Sequence, residues 1–321
     1  MWRSLSQPTL QWSIAAPFNM RFNMASLLFR RRTDRQQELD VALLDSVSGN
    51  NRRGVRDLIR LGANVNAMDN RSDLRWSETV LMRACCRGHL DVVRELLKLD
   101  RLDVNAKSRE CQWTALIAAT LTLRLDVVRE LVKDERVDVN AKDGQSWTAL
   151  MAASRFGNWE LIRALLKHDK VDVNAVDMEG CTALHMICAS GKAGFDEFLK
   201  HEKIKVNGFD ELLKHEKIKV NIQDFQGRTA FYMASSRGHW GIVEAMMTCD
   251  DIDVNCRGPL GYTALFWACL GGRLDAVSML LKHGTVDASI KSKAGSTALD
   301  VARNLQMLEI VKCLEDHAHR L

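Results

Sequence analysis

The feature that most restricts this chain is a repeated triplet. Thr-Ala-Leu or a near variant recurs at Thr79, Thr114, Thr148, Thr182, Thr229, Thr263 and Thr297, at intervals of 35, 34, 34, 47, 34 and 34 residues. A second marker, Val-Asn, brings Asn66, Asn105, Asn140, Asn174, Asn207, Asn221 and Asn255 into the same rhythm. A fixed period of this length is the signature of stacked supersecondary units, not of a single folded core.

One unit, 143–176, shows the physics of all of them. Thr148 is placed to cap the free N–H groups of a helix whose Ala149, Leu150, Ala152 and Ala153 are small enough for close packing. Gly157 ends that helix, because glycine takes up the left-handed conformation without penalty. Leu161, Ile162, Leu165 and Leu166 then form an apolar stripe of helical period. Val171-Asp172-Val173-Asn174-Ala175 is a short extended run, and Asp177 and Gly180 turn the chain into the next unit. Helices shorter than about 12–15 residues do not stand alone in water, so each apolar stripe has to be covered by its neighbours.

Composition agrees. The hydrophobic share is 46%, and three prolines and two tyrosines among 321 residues favour helix. At this length a single core would ordinarily split in two, a limit that a stack of nearest-neighbour units escapes. Of the net charge of +4, residues 1–33 hold five arginines and no acid; the rest, 40 basic and 41 acidic groups, carries −1. That balance offers no support for broad capture of nucleic acid. Nine cysteines, odd in number and without a C-x-x-C pair, read as free thiols in a reducing compartment. No apolar run reaches the length of a membrane span.

The seven helix starts, T-V-L-M-R-A, T-A-L-I-A-A, T-A-L-M-A-A, T-A-L-H-M-I, T-A-F-Y-M-A, T-A-L-F-W-A and T-A-L-D-V-A, resemble the T-P-L-H-x-A signature of the ankyrin repeat. Gly88-His89 and Gly238-His239 match its turn, and Leu96-Leu97, Leu165-Leu166 and Leu280-Leu281 its leucine pair. The resemblance covers residues 37–319. It implies an all-α solenoid of helix-turn-helix units with short β-hairpin or loop fingers, at 37–69, 74–108, 109–142, 143–176, 177–223, 224–257, 258–291 and 292–319. Residues 1–36 are set apart as a disordered leader. Proline is missing from every signature; Leu123 stands in place of the turn glycine and Ile187 in place of a small alanine, so local looseness is expected at both. The polar start Asn50-Asn51-Arg52-Arg53 and the polar tail 316–320 are expected to cap the two ends.

Two segments fall outside the pattern. Residues 195–207 (FDEFLKHEKIKVN) recur as 209–221 with Leu212 for Phe198, which accounts for the 47-residue interval. One unit offers one outer-helix slot, so one copy has to bulge or add a helix on the outer side. It is either a tandem duplication without function or an added binding surface. Residues 1–33 share their composition with mitochondrial transit peptides, while Pro8, Pro17 and the alternative starts Met20 and Met24 favour an unstructured leader.

No phosphate loop, dinucleotide fingerprint or nucleophile elbow is present, and the histidines fall at recurring repeat positions where a catalytic site would be built once. No enzyme activity, cofactor, metal or small-molecule substrate is expected. The resemblance implies instead a cytoplasmic or nuclear, monomeric adaptor that holds another protein on a concave face lined by finger tips and inner-helix edges. Carried over by position, those residues are Arg75, Trp76, Glu78, Glu110, Trp113, Gln145, Trp147, Met178, Glu179, Phe225, Gln226, Arg228, Leu260 and Tyr262 at the tips, and Cys86, Arg87, Leu121, Arg155, Phe156, Ser236, Arg237 and Leu270 at the edges. Trp113 and Trp147 have an alternative role in packing the fingers. The alternative function is nucleic-acid or membrane-surface association through the Arg-rich leader. The resemblance also implies that Asn105, Asn140, Asn174 and Asn255 are candidates for asparaginyl hydroxylation, although bonding to neighbouring backbone explains them without it.

Overall fold

The computed structural model describes residues 32–69, 77–190 and 207–319. The Arg-rich leader, Arg75, Trp76 and almost all of the first copy of the duplicated segment lie outside the described residues. Among the described residues the chain forms helices and no strands. The inner helices are α1 Arg32–Ser48, α3 Val80–Arg87, α5 Ala115–Leu121, α7 Ala149–Phe156, α9 Ala183–Ser190, α11 Ala230–Ser236, α13 Ala264–Leu270 and α15 Ala298–Asn304. The outer ones are α2 Arg52–Arg60, α4 Leu90–Leu97, α6 Leu125–Leu131, α8 Trp159–Leu166, α10 Asn207–Leu213, α12 Trp240–Met246, α14 Leu274–Lys282 and α16 Leu308–Ala318. Each inner helix packs on the inner helix before and after it, so the core is a continuous seam running the length of the stack. Helix α1 begins at Arg32, five residues before the boundary drawn from the sequence, and its Leu39, Leu43, Leu44 and Val47 join that seam.

Local chemistry forms these elements as the triplet implies. The Thr79, Thr114, Thr148, Thr229, Thr263 and Thr297 side chains each accept from the backbone N–H three residues on. Gly88 and Gly157 close their helices in the left-handed region, at φ 75° and 67°. The expected looseness at Leu123 is absent. The side chain is exposed, but the backbone adopts φ 59° and the turn closes through Leu123 N to Thr120 O (3.1 Å) and Arg124 N to Ala119 O (2.9 Å), as at Gly88. The cost appears as local strain, because a β-carbon disfavours this region. Ile187 likewise is fully buried in the seam.

The Val-Asn residues tie the units together. Asn140 Nδ2 donates to Lys170 O (2.7 Å) while Asp172 N donates to Asn140 Oδ1 (2.7 Å), so one carboxamide clamps the loop of the next unit. Asn66, Asn105, Asn174, Asn221 and Asn255 repeat the same pair of bonds. The clamp from Asn174 takes hold of Lys217 and Lys219, which belong to the second copy of the duplication. That copy also supplies α10: Phe209 meets Trp159 edge-on with centroids 6.2 Å apart, Glu211 pairs with Arg163 at 2.8 Å, and Leu212 is fully buried. The second copy therefore fills the outer slot of unit five, where its main helix contact is with α8 of unit four.

The fingers are loops, with single β-bridges at Met68–Thr79 and Gln223–Thr229. Their shape comes from aspartates: Asp143 and the buried Asp177 and Asp224 each accept two backbone N–H groups of their own turn. Unit seven has Gly258 at this register, because a β-carbon there would lie 2.0 Å from Tyr232 Cζ.

Candidate partner-binding face

Finger tips and inner-helix edges form one surface because the tips are joined laterally. Gly144 N donates to Cys111 O (2.9 Å), Met178 N to Gln145 O (3.4 Å), Phe225 N to Glu179 O (2.9 Å) and Lys293 N to Leu260 O (3.0 Å). These backbone bonds hold the tips in register and leave their side chains pointing elsewhere.

Two groups emerge among the residues assigned to this surface. The first is engaged internally. Glu78 is largely buried and pairs with Arg83 (3.2 Å) and Arg87 (3.8 Å), within a network in which the buried Arg83 also holds Asp69. Glu110 accepts from Ser77 N (2.8 Å) and Ser77 Oγ (3.1 Å) of the preceding unit, which lowers its pKa. Trp147 Nε1 donates to Asp177 Oδ2 (3.2 Å), and Trp113 packs half-buried on the core; both tryptophans therefore serve the fingers. Leu121 is also half-buried against the core. Arg228 is bound to Asp224 at 2.6 Å, and Tyr262 stacks on Phe266 with centroids 4.0 Å apart. Cys86 is partly buried, and burial pushes its thiol up to about 12.

The second group is exposed: Gln145, Arg155, Phe156, Met178, Glu179, Phe225, Gln226, Arg237, Leu260 and Leu270. All lie in units four to seven. Phe225 is 77% and Met178 66% exposed, on successive tips. Sequence reasoning missed Trp267, a half-buried indole meeting Tyr262 (5.3 Å) and Tyr232 (6.4 Å) edge-on, and the exposed Leu305 and Leu308 of the last unit. The tryptophan inside T-A-L-F-W-A was the available signal, because it is the one aromatic at a position where the sister units carry Arg, Ala, Met or Val.

Nucleophilic chemistry is disfavoured at the buried thiols. All nine cysteines are free, and burial raises Cys85 and Cys188, with Cys181 and Cys269 pushed up to about 12 and Cys256 to about 11. His185 is buried, its ring bonded to Thr182 Oγ1 (2.9 Å) and Arg228 O (3.0 Å), and burial lowers its pKa. Among the described residues no group of His, Cys, Asp and Glu is arranged to hold a metal, and no helix is long and apolar enough to cross a membrane.

Comparison with known proteins agrees with the geometry. The family described as Ankyrin repeats (3 copies) matches residues 43–143, 124–210 and 241–320, most of the chain. The chain belongs to the ankyrin repeat family. The ankyrin repeat domain of Bcl-3, described as a unique member of the IkappaB protein family, is similar in structure with a TM-score of 0.60 and 25% identity, over 73% of this chain and 98% of that one. EF0377, an ankyrin repeat protein, is similar with a TM-score of 0.54 and 26% identity, over 67% and 98%. No curated protein matches the chain in sequence. Ankyrin repeats generally mediate protein–protein interaction and are generally non-enzymatic.

Proposed function

We propose that this ankyrin repeat protein is a non-enzymatic adaptor that holds a partner protein across the finger tips and inner-helix edges of units four to seven. The observation that carries this reading is the exposed row Met178, Phe225 and Leu260 on successive tips, beside Phe156 and Leu270 on the helix edges. Large side chains exposed together mark interaction sites, whereas scattered ones are ordinary. Backbone bonds to a neighbouring tip hold each of Met178, Phe225 and Leu260 before a partner arrives, which reduces the entropy lost on binding. A few anchors of this type, ringed by weaker contacts, supply most of the affinity of a protein interface.

Affinity capture with mass spectrometry tests it, comparing the full chain with the variant Phe156→Ala, Met178→Ala, Phe225→Ala, Leu260→Ala. All four side chains are exposed, so the variant is expected to melt as the parent does and to lose its specific partner. Retention of every specific partner by the folded variant would place the binding face elsewhere. The asparagine hydroxylation implied by the resemblance is checked by intact mass of protein from its native cells, each modification adding one oxygen atom. Every candidate carboxamide already donates and accepts one bond in a clamp without it.

A further inference from the structure

Several arginines on the outer side of the stack are neutralised from unit to unit. Arg52 and Arg56 share Glu95, Arg94 meets Glu130, and Arg163 meets Glu211. The inner edge differs. Arg155 and Arg237 are exposed, and their guanidinium groups have no ion pair or hydrogen bond among the described residues. Of the side chains assigned to the face in units four to six, Glu179 alone is acidic; the nearby Asp224 is taken up by Arg228.

The register of the repeat places these two arginines on one edge. Seven and eight residues after the capping threonine stand Arg155-Phe156 in unit four, Ala189-Ser190 in unit five and Ser236-Arg237 in unit six. Helices α7, α9 and α11 pack in that order, so two guanidinium groups flank a position occupied by small side chains. Partial burial lowers the pKa of Arg237, and the like charges of Arg228 and Arg155 lower it further. Like charges held together without a counter-ion repel, and an arriving anion reverses the sign of that contribution.

We propose, resting on the adaptor reading above, that the α7–α9–α11 edge is a seat for an acidic segment of the partner protein, whose carboxylates are taken by Arg155 and Arg237 while its apolar side chains lie against Phe156, Met178 and Phe225. Guanidinium groups suit this task because their planar donors engage a carboxylate through two parallel bonds. The chain beyond residue 33 is balanced at −1, which gives no support for broad positive capture of nucleic acid. Apolar tips beside the cations fit a peptide of mixed acidic and apolar character.

The test is a selection of short random peptides displayed on phage, run against the immobilised full chain and against Arg155→Glu/Arg237→Glu. Both positions are exposed, and an unchanged thermal melt verifies the variant's fold. Peptides enriched on the parent are expected to carry Asp and Glu at about twice their frequency in the library, and those enriched on the variant to carry Lys and Arg instead. One synthesised acidic peptide is expected to bind about tenfold more weakly to Arg237→Ala, the loss typical of one charge-assisted contact. Raised salt weakens the same complex. A parent pool without acidic excess, or acidic peptides that bind both proteins alike, overturns the acidic seat. If the enriched peptides are neutral yet lose binding on Met178→Ala/Phe225→Ala, the adaptor face stands and this inference alone falls. If no pool responds to either pair of substitutions, both fall.

Discussion

The duplicated segment permits an unusually clean perturbation. With the glycine before each copy, the tandem unit is Gly194–Asn207 followed by Gly208–Asn221, 14 residues each. Removing either one shortens the 47-residue interval to 47 − 14 = 33, the family's period. The two deletion products are identical except for one residue: Leu when Gly194–Asn207 is removed, Phe when Gly208–Asn221 is removed. That residue enters the position of Leu212, which has no exposure to solvent.

The magnitudes follow from the slot. In the parent the chain from Gly191 to Val206 connects α9 to α10; deletion leaves Gly191-Lys192, the same length as the Gly157-Asn158 connection between α7 and α8. Shortening a connection about eightfold reduces its closure entropy by about 2 kcal/mol. Both deletions share this gain, so it cancels between them. Their difference is the cost of placing phenylalanine where leucine fits, about 1–3 kcal/mol for overpacking a closed site. Urea unfolding followed by circular dichroism should therefore rank removal of Gly194–Asn207 as the more stable product by that amount, and at or above the parent. Equal stability of the two products would refute the placement of position 212 in a closed core. A marked loss on removing Gly194–Asn207 would refute the assignment of the second copy to the slot.

Three further outcomes are expected. Leu123→Gly relieves the left-handed strain at an exposed turn and should raise stability by about 0.5–1 kcal/mol, seen as a higher Tm; a fall would show that the side chain, not the backbone, governs the site. Asn140→Ala removes both bonds of one clamp and should cost about 1–2 kcal/mol in urea unfolding, with faster amide exchange at Asp172; unchanged exchange there would contradict the clamp. Arg56, foremost, and Arg52 hold the Glu95 carboxyl down from 4.5 to about 2. A depressed carboxylate contributes stability above its unfolded pKa that is lost as pH falls through the folded one, so the gap between parent and Glu95→Gln, about 1 kcal/mol near neutrality, should close between pH 4.5 and 2. A gap that persists at pH 2 would mean the ion pairs are not its source.

The helix starts and turns were legible in the linear chain because their causes are short-range. A threonine hydroxyl reaches the amide three residues on, a glycine closes its own helix, and Asp143 folds the turn that follows it. Leu123 shows the limit: a short-range rule forecast looseness, but the helices on either side impose the turn and the leucine takes the strain. The candidate face was legible as a set of positions, since repeats in register place equivalent residues on one side.

Which of those positions remain open to a partner depended on contacts between units that no local pattern encodes. Trp147 is taken up by Asp177 of the next unit, Glu110 by Ser77 of the unit before, and Arg228 by the aspartate of its own finger. The duplicated segment makes the same point from sequence similarity: the second family match runs through the first copy and stops at residue 210, inside α10. Both copies carry the same apolar pattern and are equally good outer helices when considered alone. Only the packed neighbours, Trp159, Arg163 and Asn174, show which one occupies the slot, because burial is a property of two surfaces and a sequence states only one of them.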